Sequence, residues 1–385
     1  MTTHSDIDQA LRSAAPHELL DVVRDHLAER FHATAVDLLM ADYALTMLQP
    51  VSVLPYTSRP VPVERSDAGE AFTSQQAVLR PGAGGAVTVF LPVSVRGDRL
   101  GVLSVGLPGE PAGPVVTGLL HLADALGHEI VIAERDTDLY LQARRAKRLT
   151  LAAEMQWQLL PGRSCARPEY RIGAQLQPAY AIRGDNFDWS TSADQLILTV
   201  SNGMGEGIDA SLLTNLAVNA LRNARRAGGP LTDQAMLADQ AVYAKYRGQA
   251  HLATLLLRFD LATAEVEVID AGSPRLWRLR GGEAEPLVFD RQLPLGMFED
   301  THYGSEHFRI ERGDRLILVS DGVYAAAAAD RVDDQLAALA EAMHATRELP
   351  AAHVPSAILG HMSRYRDNTA AHDDSTVVCL DWHGR

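Results

Sequence analysis

Leu196-Ile197-Leu198-Thr199-Val200-Ser201-Asn202-Gly203-Met204-Gly205-Glu206-Gly207 is the stretch on which the reading of this chain turns. Its apolar half predicts a buried strand. The run stops at Ser201 and Asn202, and three glycines follow before a helical pattern begins near Ile208 and runs to Arg226. Strand, glycine-rich turn and helix bring backbone and one polar side chain to a ligand, because glycine allows the tight turn. Asn-Gly also marks hairpins, but the later glycines and the helix argue against one here. A dinucleotide-binding loop needs a strand after its helix, and a second helix follows Arg226 instead.

Around this turn lie three acidic motifs beside predicted strands: Gly184-Asp185, Ser320-Asp321-Gly322 and Asp373-Asp374. If the preceding turn centres on Ala193-Asp194, Asp185 and Asn202 face each other across an antiparallel pair, with Cβ atoms about 5 Å apart. Asp188 then points to the opposite face. Carboxylates from separate strands, with no histidine in these motifs, suit a hard divalent cation such as Mg²⁺ or Mn²⁺. No His-x3-His pair marks a zinc hydrolase.

The remaining composition sets bounds. A chain of 385 residues favours two domains, and 46% hydrophobic residues is enough for packed cores. A formal net charge of −14 argues against nucleic acid as a partner. Two cysteines, Cys165 and Cys379, form no Cys-x-x-Cys pair and read as free thiols. The first residues lack a basic, apolar leader, and the apolar stretch Val115–Ala133 carries His121, Asp124, His128 and Glu129. No membrane span and a cytoplasmic location are therefore expected.

The N-terminal third predicts a helix with buried positions at Leu19, Leu20, Val23, Leu27 and Phe31. Strands are expected at Ala35–Met40, Ala44–Leu48, Val87–Val95 and Leu100–Leu107, then a helix from Pro114. The segment Val51–Gly85 reads mostly as loop, with a candidate short helix at Gly69–Gln76. Residues 134–161 predict a connecting helix with a narrow apolar stripe and a basic cluster of Arg144, Arg145, Lys147 and Arg148, suited to pairing with its copy. The later strands and helix pairs predict an α+β domain of sheets flanked by helices over 162–385.

Two resemblances follow from these residues. Phe90-Leu91-Pro92-Val93 through Arg96-Gly97-Asp98-Arg99-Leu100-Gly101-Val102-Leu103 resembles a GAF domain, spanning 1–133. Such domains are sensory or dimerising modules, which implies a small-molecule ligand or a homodimer. Further along, Ala153-Glu154-Met155-Gln156, Leu159-Leu160-Pro161, Pro178-Ala179-Tyr180, Arg183-Gly184-Asp185-Asn186-Phe187-Asp188, the turn at Asn202, Ala271-Gly272-Ser273-Pro274, Pro294-Leu295-Gly296, Gly313-Asp314, Ser320-Asp321-Gly322-Val323 and Asp373-Asp374-Ser375-Thr376 recur in family order. They resemble the metal-dependent type 2C serine/threonine phosphatases, in the SpoIIE/RsbU branch.

That resemblance implies a β-sandwich flanked by helix pairs and two Mn²⁺ or Mg²⁺ ions sharing a bridging aspartate and a water that attacks phosphoserine. It implies that Asp321 and Asp373 hold one metal, with Asp374 the alternative to Asp373, that Asp185 lies in or beside the ligand shell, and that Gly203 lends its carbonyl. It also implies a phosphorylated anti-anti-sigma (STAS) protein as substrate. The bridging carboxylate, however, falls on Asn202, and Arg183 and Ser273 depart from the pattern. An amide offers one neutral oxygen and an NH₂ group. The resemblance thus implies either a phosphatase with weakened metal dependence or a pseudophosphatase acting as a binding scaffold.

Overall fold

The computed structural model describes residues 3–51, 60–145, 149–178, 182–272, 274–324, 332–365 and 373–385. Lys147, Arg148, Ala179, Tyr180 and Ser273 lie outside these described residues. The chain divides into two compact units, Met1–Arg148 and Leu149–Arg385.

In the first unit, helices α1 (Thr3–Ser13) and α2 (Leu19–Phe31) precede β1 (Ala35–Ala41), β2 (Met47–Pro50), β3 (Val61–Pro62), α3 (Asp67–Ser74), β4 (Val78–Pro81), β5 (Val87–Val95), β6 (Asp98–Leu107), α4 (Gly113–Ala133) and α5 (Leu139–Ala143). The strands form one six-stranded sheet in the order β3-β2-β1-β6-β5-β4. β5 and β6 meet at Arg96-Gly97, both with positive φ, as a tight hairpin requires. One sheet face packs against α1, α2 and α4 through Leu38, Met40, Val89, Leu91, Val105, Leu122 and Leu126. The other packs against α3 through Phe72 and Ala71. Helix α4 is long and apolar enough to cross a membrane by length and composition. Its Leu119, Leu122, Ala123, Leu126 and Ile130 are buried in this core.

Two local expectations change. The second strand begins at Met47, not Ala44, because the Asp42 carboxylate accepts the Thr46 and Met47 N–H groups at 2.8 and 3.0 Å and holds a turn there. The expected continuous connecting helix over 134–161 does not form. Glu134 ends α4, Arg144 ends α5, and a new helix α6 (Leu151–Leu159) starts at Thr150, whose hydroxyl accepts the Ala153 N–H. Each piece is claimed by its own unit. Tyr140 is fully buried and donates to the Pro16 carbonyl at 2.9 Å, whereas Ala152 and Leu159 of the apolar stripe are buried beside the following unit's helices.

After α6, the second unit runs β7 (Ser164–Ala166), β8 (Tyr170–Gln177), β9 (Asn186–Thr191), β10 (Gln195–Gly203), α7 (Gly207–Arg226), α8 (Leu231–Tyr246), β11 (Leu252–Asp260), β12 (Glu265–Ala271), β13 (Arg275–Arg280), β14 (Glu283–Leu287), β15 (Glu306–Arg309), β16 (Arg315–Val319), α9 (Asp321–Tyr324), α10 (Val332–Ala345), α11 (Val354–Tyr365) and β17 (Ser375–Trp382). Two antiparallel sheets result, ordered β15-β12-β11-β10-β9 and β14-β13-β16-β17-β8-β7. Ile197, Leu256 and Ile269 pack on Leu221, Leu231 and Ala235 of the α7–α8 pair. On the second sheet, Ile317, Val319, Val377 and Cys379 pack on Leu339, Met343, Ile358 and Met362 of α10 and α11. Alternation sends Leu255, Leu257 and Phe259 to the opposite face, where Phe259 stacks on Trp382 at 6.2 Å. This is a β-sandwich with a helix pair outside each sheet. Neither Cys165 nor Cys379 is in a disulfide.

Candidate active site

The β9–β10 hairpin places the first two site residues. Leu196 pairs with Thr191 and Ser201 with Asn186, so Asn202 continues the register toward Asp185, one residue beyond the β9 end. Asp188 faces away, as alternation requires. Its carboxylate is buried and takes Arg222 at 2.8 Å and Arg225 at 2.9 Å, while Arg222 also donates to the Leu159 carbonyl at the end of α6.

Past Asn202 the chain needs its glycines. Gly205 and Gly207 have φ of +94° and +66°, where a side chain is strained. Gly203 sits so close to the preceding loop that a Cβ would stand 2.9 Å from the Gly184 carbonyl oxygen and 2.8 Å from Thr214 Oγ1. Thr214 in turn donates to Gly184 O at 2.7 Å, and Gly207 N donates to Ile182 O at 2.7 Å. The loop carrying Asp185 is therefore pinned by the backbone of the glycine turn at Gly207 and by the Thr214 side chain of α7.

Strands β16 and β17 deliver the other carboxylates. They pair side by side, with Val319 opposite Val377. Ser320 N donates to Thr376 O, and Thr376 N donates to Ser320 Oγ at 2.9 Å. A Cβ on Gly322 would lie 1.9 Å from Asp374 O, so only glycine lets Asp321 approach Asp373 and Asp374. Asp374 is a structural anchor. Its Oδ2 accepts the N–H groups of Arg183, Gly184 and Asp185 at 2.9, 2.9 and 3.3 Å, and Gln156 Nε2 at 2.8 Å. Of the Asp373–Asp374 doublet, Asp374 thus fixes the Asp185 loop, and Asp373 is the half-buried carboxylate beside Asp321.

Asp185 is fully buried, and neither of its carboxylate oxygens accepts a hydrogen bond. Burial pushes its pKa well up. The neighbouring Asp374 adds to this, the nearby Ser320 hydroxyl, though outside hydrogen-bond geometry, pulls the other way, and Asp321 and Asp373 raise it further. Asp373 is likewise raised, by burial first and then by Asp321. Asn202 Nδ2 donates to Asp321 Oδ1, so the amide occupies one oxygen of that carboxylate. Asp185, Asn202, Asp321 and Asp373 are brought to one place, and Gly203 abuts it. Sequence reasoning missed the role of Gln156, although its place on the helix before Leu159-Leu160-Pro161 was a signal, and also that of Thr214.

A divalent cation can be tested against these donors. A buried carboxylate with both oxygens unpartnered is a ligand short of a cation, which fits one ion. A bridged pair does not fit: the bridging position holds an amide, and that amide already donates to Asp321. Among the described residues, no three His, Cys, Asp or Glu side chains form a group that holds a metal ion as they stand, so a cation would have to draw Asp185, Asp321 and Asp373 together.

Residues 192–383 match the sequence model of Stage II sporulation protein E (SpoIIE). The chain is 24% identical over 212 residues to phosphoserine phosphatase RsbU of Bacillus subtilis (strain 168), covering 51% of this chain and 59% of that protein's length. Its fold is similar to the RsbU and RsbW domains of Rv1364c from Mycobacterium tuberculosis, with a TM-score of 0.51 and 20% identity over 56% of this chain and 61% of that one. The PP2C phosphatase domain of SpoIIE from Bacillus subtilis, with a regulatory-domain fragment, gives a TM-score of 0.47 at 18% identity, covering 56% and 64%.

Proposed function

We propose that this chain, whose second unit is a SpoIIE-type PP2C phosphatase domain by sequence and fold, is a protein serine/threonine phosphatase acting on a phosphorylated anti-anti-sigma (STAS) protein. The observation that carries the reading is Asp185: a buried carboxylate with unpartnered oxygens, ringed by Asp321, Asp373 and Asp374. A protein does not bury such a group for stability, since an unpaired charge away from water is unfavourable by several kcal/mol or is forced neutral, roughly as Born solvation requires. It is kept where a cation or substrate completes it.

Asp185, Asp321 and Asp373 would hold one Mn²⁺ or Mg²⁺ ion, with Gly203 beside them. Such an ion supplies a more acidic water and charge stabilisation at phosphorus. The chain's own contribution is placement. Asp374 and Gln156 hold the Asp185 loop, Gly322 lets Asp321 reach Asp373, and Thr214 of α7 ties the Gly184 carbonyl in place.

A second reading is favoured by Asn202. The hydrogen bond its amide donates to Asp321 satisfies a carboxylate that a second ion would need, which supports a binding scaffold with little turnover. Release of phosphate from a phosphoserine STAS protein, with and without Mn²⁺, separates the two. The phosphatase reading expects Mn²⁺-dependent release that Asp185→Asn abolishes. Partner binding without release would instead establish the scaffold.

For the first unit we propose a GAF-like sensory or dimerising role. The six-stranded sheet with helices on both faces and the Arg96-Gly97 hairpin support it. Homodimerisation, a small-molecule ligand and a cytoplasmic setting belong to the same proposal.

A further inference from the structure

Three helices of the first unit, α1, α2 and α4, leave a recess of about 620 Å³ between them, within the roughly 300–1,000 Å³ usual for small-molecule sites. Its lining belongs wholly to that unit. Gly118 and Ala125 give α4 little bulk where larger side chains would fill the gap. The floor is apolar: Ile7, Leu119 and Leu122 are buried there, with Val115 half-buried beside them.

The polar residues of the recess are sorted by wall. On α2, His26 and Arg30 stand one turn apart and so share a face. The Arg30 guanidinium lies over the Phe31 ring at 5.7 Å. Among the described residues, neither the Arg30 nor the His26 side chain has a hydrogen-bond or ion-pair partner. On α1 and α4 the charge is opposite, from Asp8 and Asp124. Asp8 is half-buried, and Asp124 has His128 Nδ1 on its own helix no nearer than 3.8 Å. One wall is therefore cationic, the facing helices are anionic, and the floor between them is apolar.

We propose that this recess binds an amphipathic zwitterion: a small molecule whose carboxylate is taken by Arg30 and His26, whose ammonium is taken by Asp8 and Asp124, and whose apolar body lies on Ile7, Leu119 and Leu122. The charges select this class. Asp8 and Asp124 outnumber Arg30, so the lining opposes a simple anion. A simple cation leaves Arg30 unanswered. Only a molecule with both heads answers both walls. The inference gives the small-molecule ligand proposed above for the first unit a place and a class, and it rests on that reading.

The test is calorimetric titration of the full chain with two zwitterions, L-phenylalanine, whose charges are adjacent, and ε-aminocaproate, whose charges are apart. Each is compared with its skeleton lacking the amine, hydrocinnamate or hexanoate, and lacking the carboxylate, phenethylamine or hexylamine. At least one zwitterion is expected to bind once per chain, with its single-charge counterparts about 10-fold or more weaker, the scale of one lost hydrogen bond between charged groups. Arg30→Gln should weaken the zwitterion by a similar factor, and Arg30→Lys should keep it. Asp8→Asn with Asp124→Asn should also weaken the zwitterion while leaving its amine-free counterpart unchanged or tighter. Arg30 and Asp124 are exposed and Asp8 is half-buried, so these variants keep the fold. A single-charge counterpart that matches its zwitterion overturns the proposed class. Zwitterion binding that survives both the glutamine and the asparagine variants overturns this recess while leaving the first unit a ligand-binding unit. No binding of either zwitterion overturns the inference and leaves that unit its dimerising role. Binding that falls as the chain self-associates in sedimentation velocity gives the recess to a second copy and overturns it too.

Discussion

Gly322 leaves no room for a side chain, because a Cβ there would meet Asp374 O at 1.9 Å. We expect Gly322→Ala to destabilise the second unit by about 1–3 kcal/mol, the usual range for forcing atoms into packed space, and to part Asp321 from Asp373. Urea unfolding together with Mn²⁺ titration checks both effects. Asp239 offers a separate test away from the site. It is fully buried, accepts from Gly296 N at 2.7 Å and Tyr303 OH at 3.0 Å, and leaves Oδ2 unpartnered. Burial is the main cause raising its pKa. A carboxyl whose folded pKa lies above its unfolded value binds more protons when folded, so its contribution to stability falls as pH rises from about 4 through the folded value. Asp239→Asn should remove that slope. The difference between variant and natural chain in urea should therefore shift toward the variant from pH 4 to 7, and a constant difference would contradict the assignment.

At the scale of elements, Asp188 links β9 to α7, and Arg222 extends the link to the end of α6. Removing one partner of a buried charge network typically destabilises by about 3–5 kcal/mol. Asp188→Ala should therefore lower stability by that order in denaturant titration, with Asp188→Asn milder. This network was half legible in the sequence. The alternation of β9 showed that Asp188 points away from Asp185, and the turn at Ala193-Asp194 gave the register of β9 with β10. The arginines that receive it lie more than thirty residues on, on a helix whose rotation only packing decides. Edge strands β14 and β15 were invisible because their residues are largely exposed and polar, giving no apolar alternation. The false connecting helix had good helical composition throughout. Burial of Tyr140 in one unit and Ala152 and Leu159 in the other broke it, and composition carries no record of that. The Asp373–Asp374 doublet likewise looks symmetrical in sequence. Only the three N–H groups converging on Asp374 tell the two apart.

The whole molecule is two units, each with its own core, divided between Arg148 and Leu149. The fragment 149–385 should fold alone and keep the Mn²⁺ affinity of the full chain. A fragment that fails to unfold cooperatively would show that its core is incomplete. The family pattern was legible from motif order, since glycines and aspartates at strand ends are what the sandwich uses to gather its carboxylates. What the pattern does at Asn202 was not legible, because it depends on which atoms that side chain reaches. The most direct test of the central claim, that these carboxylates form a cation-dependent phosphatase site, is an anomalous-scattering map from crystals of the natural chain soaked in Mn²⁺. The account predicts one peak at the cluster, about 2–2.3 Å from oxygens of Asp321 and Asp373, the range of hard-cation ligation, and no second peak at Asn202. No peak there at saturating Mn²⁺, or two peaks bridged through Asn202, would contradict it.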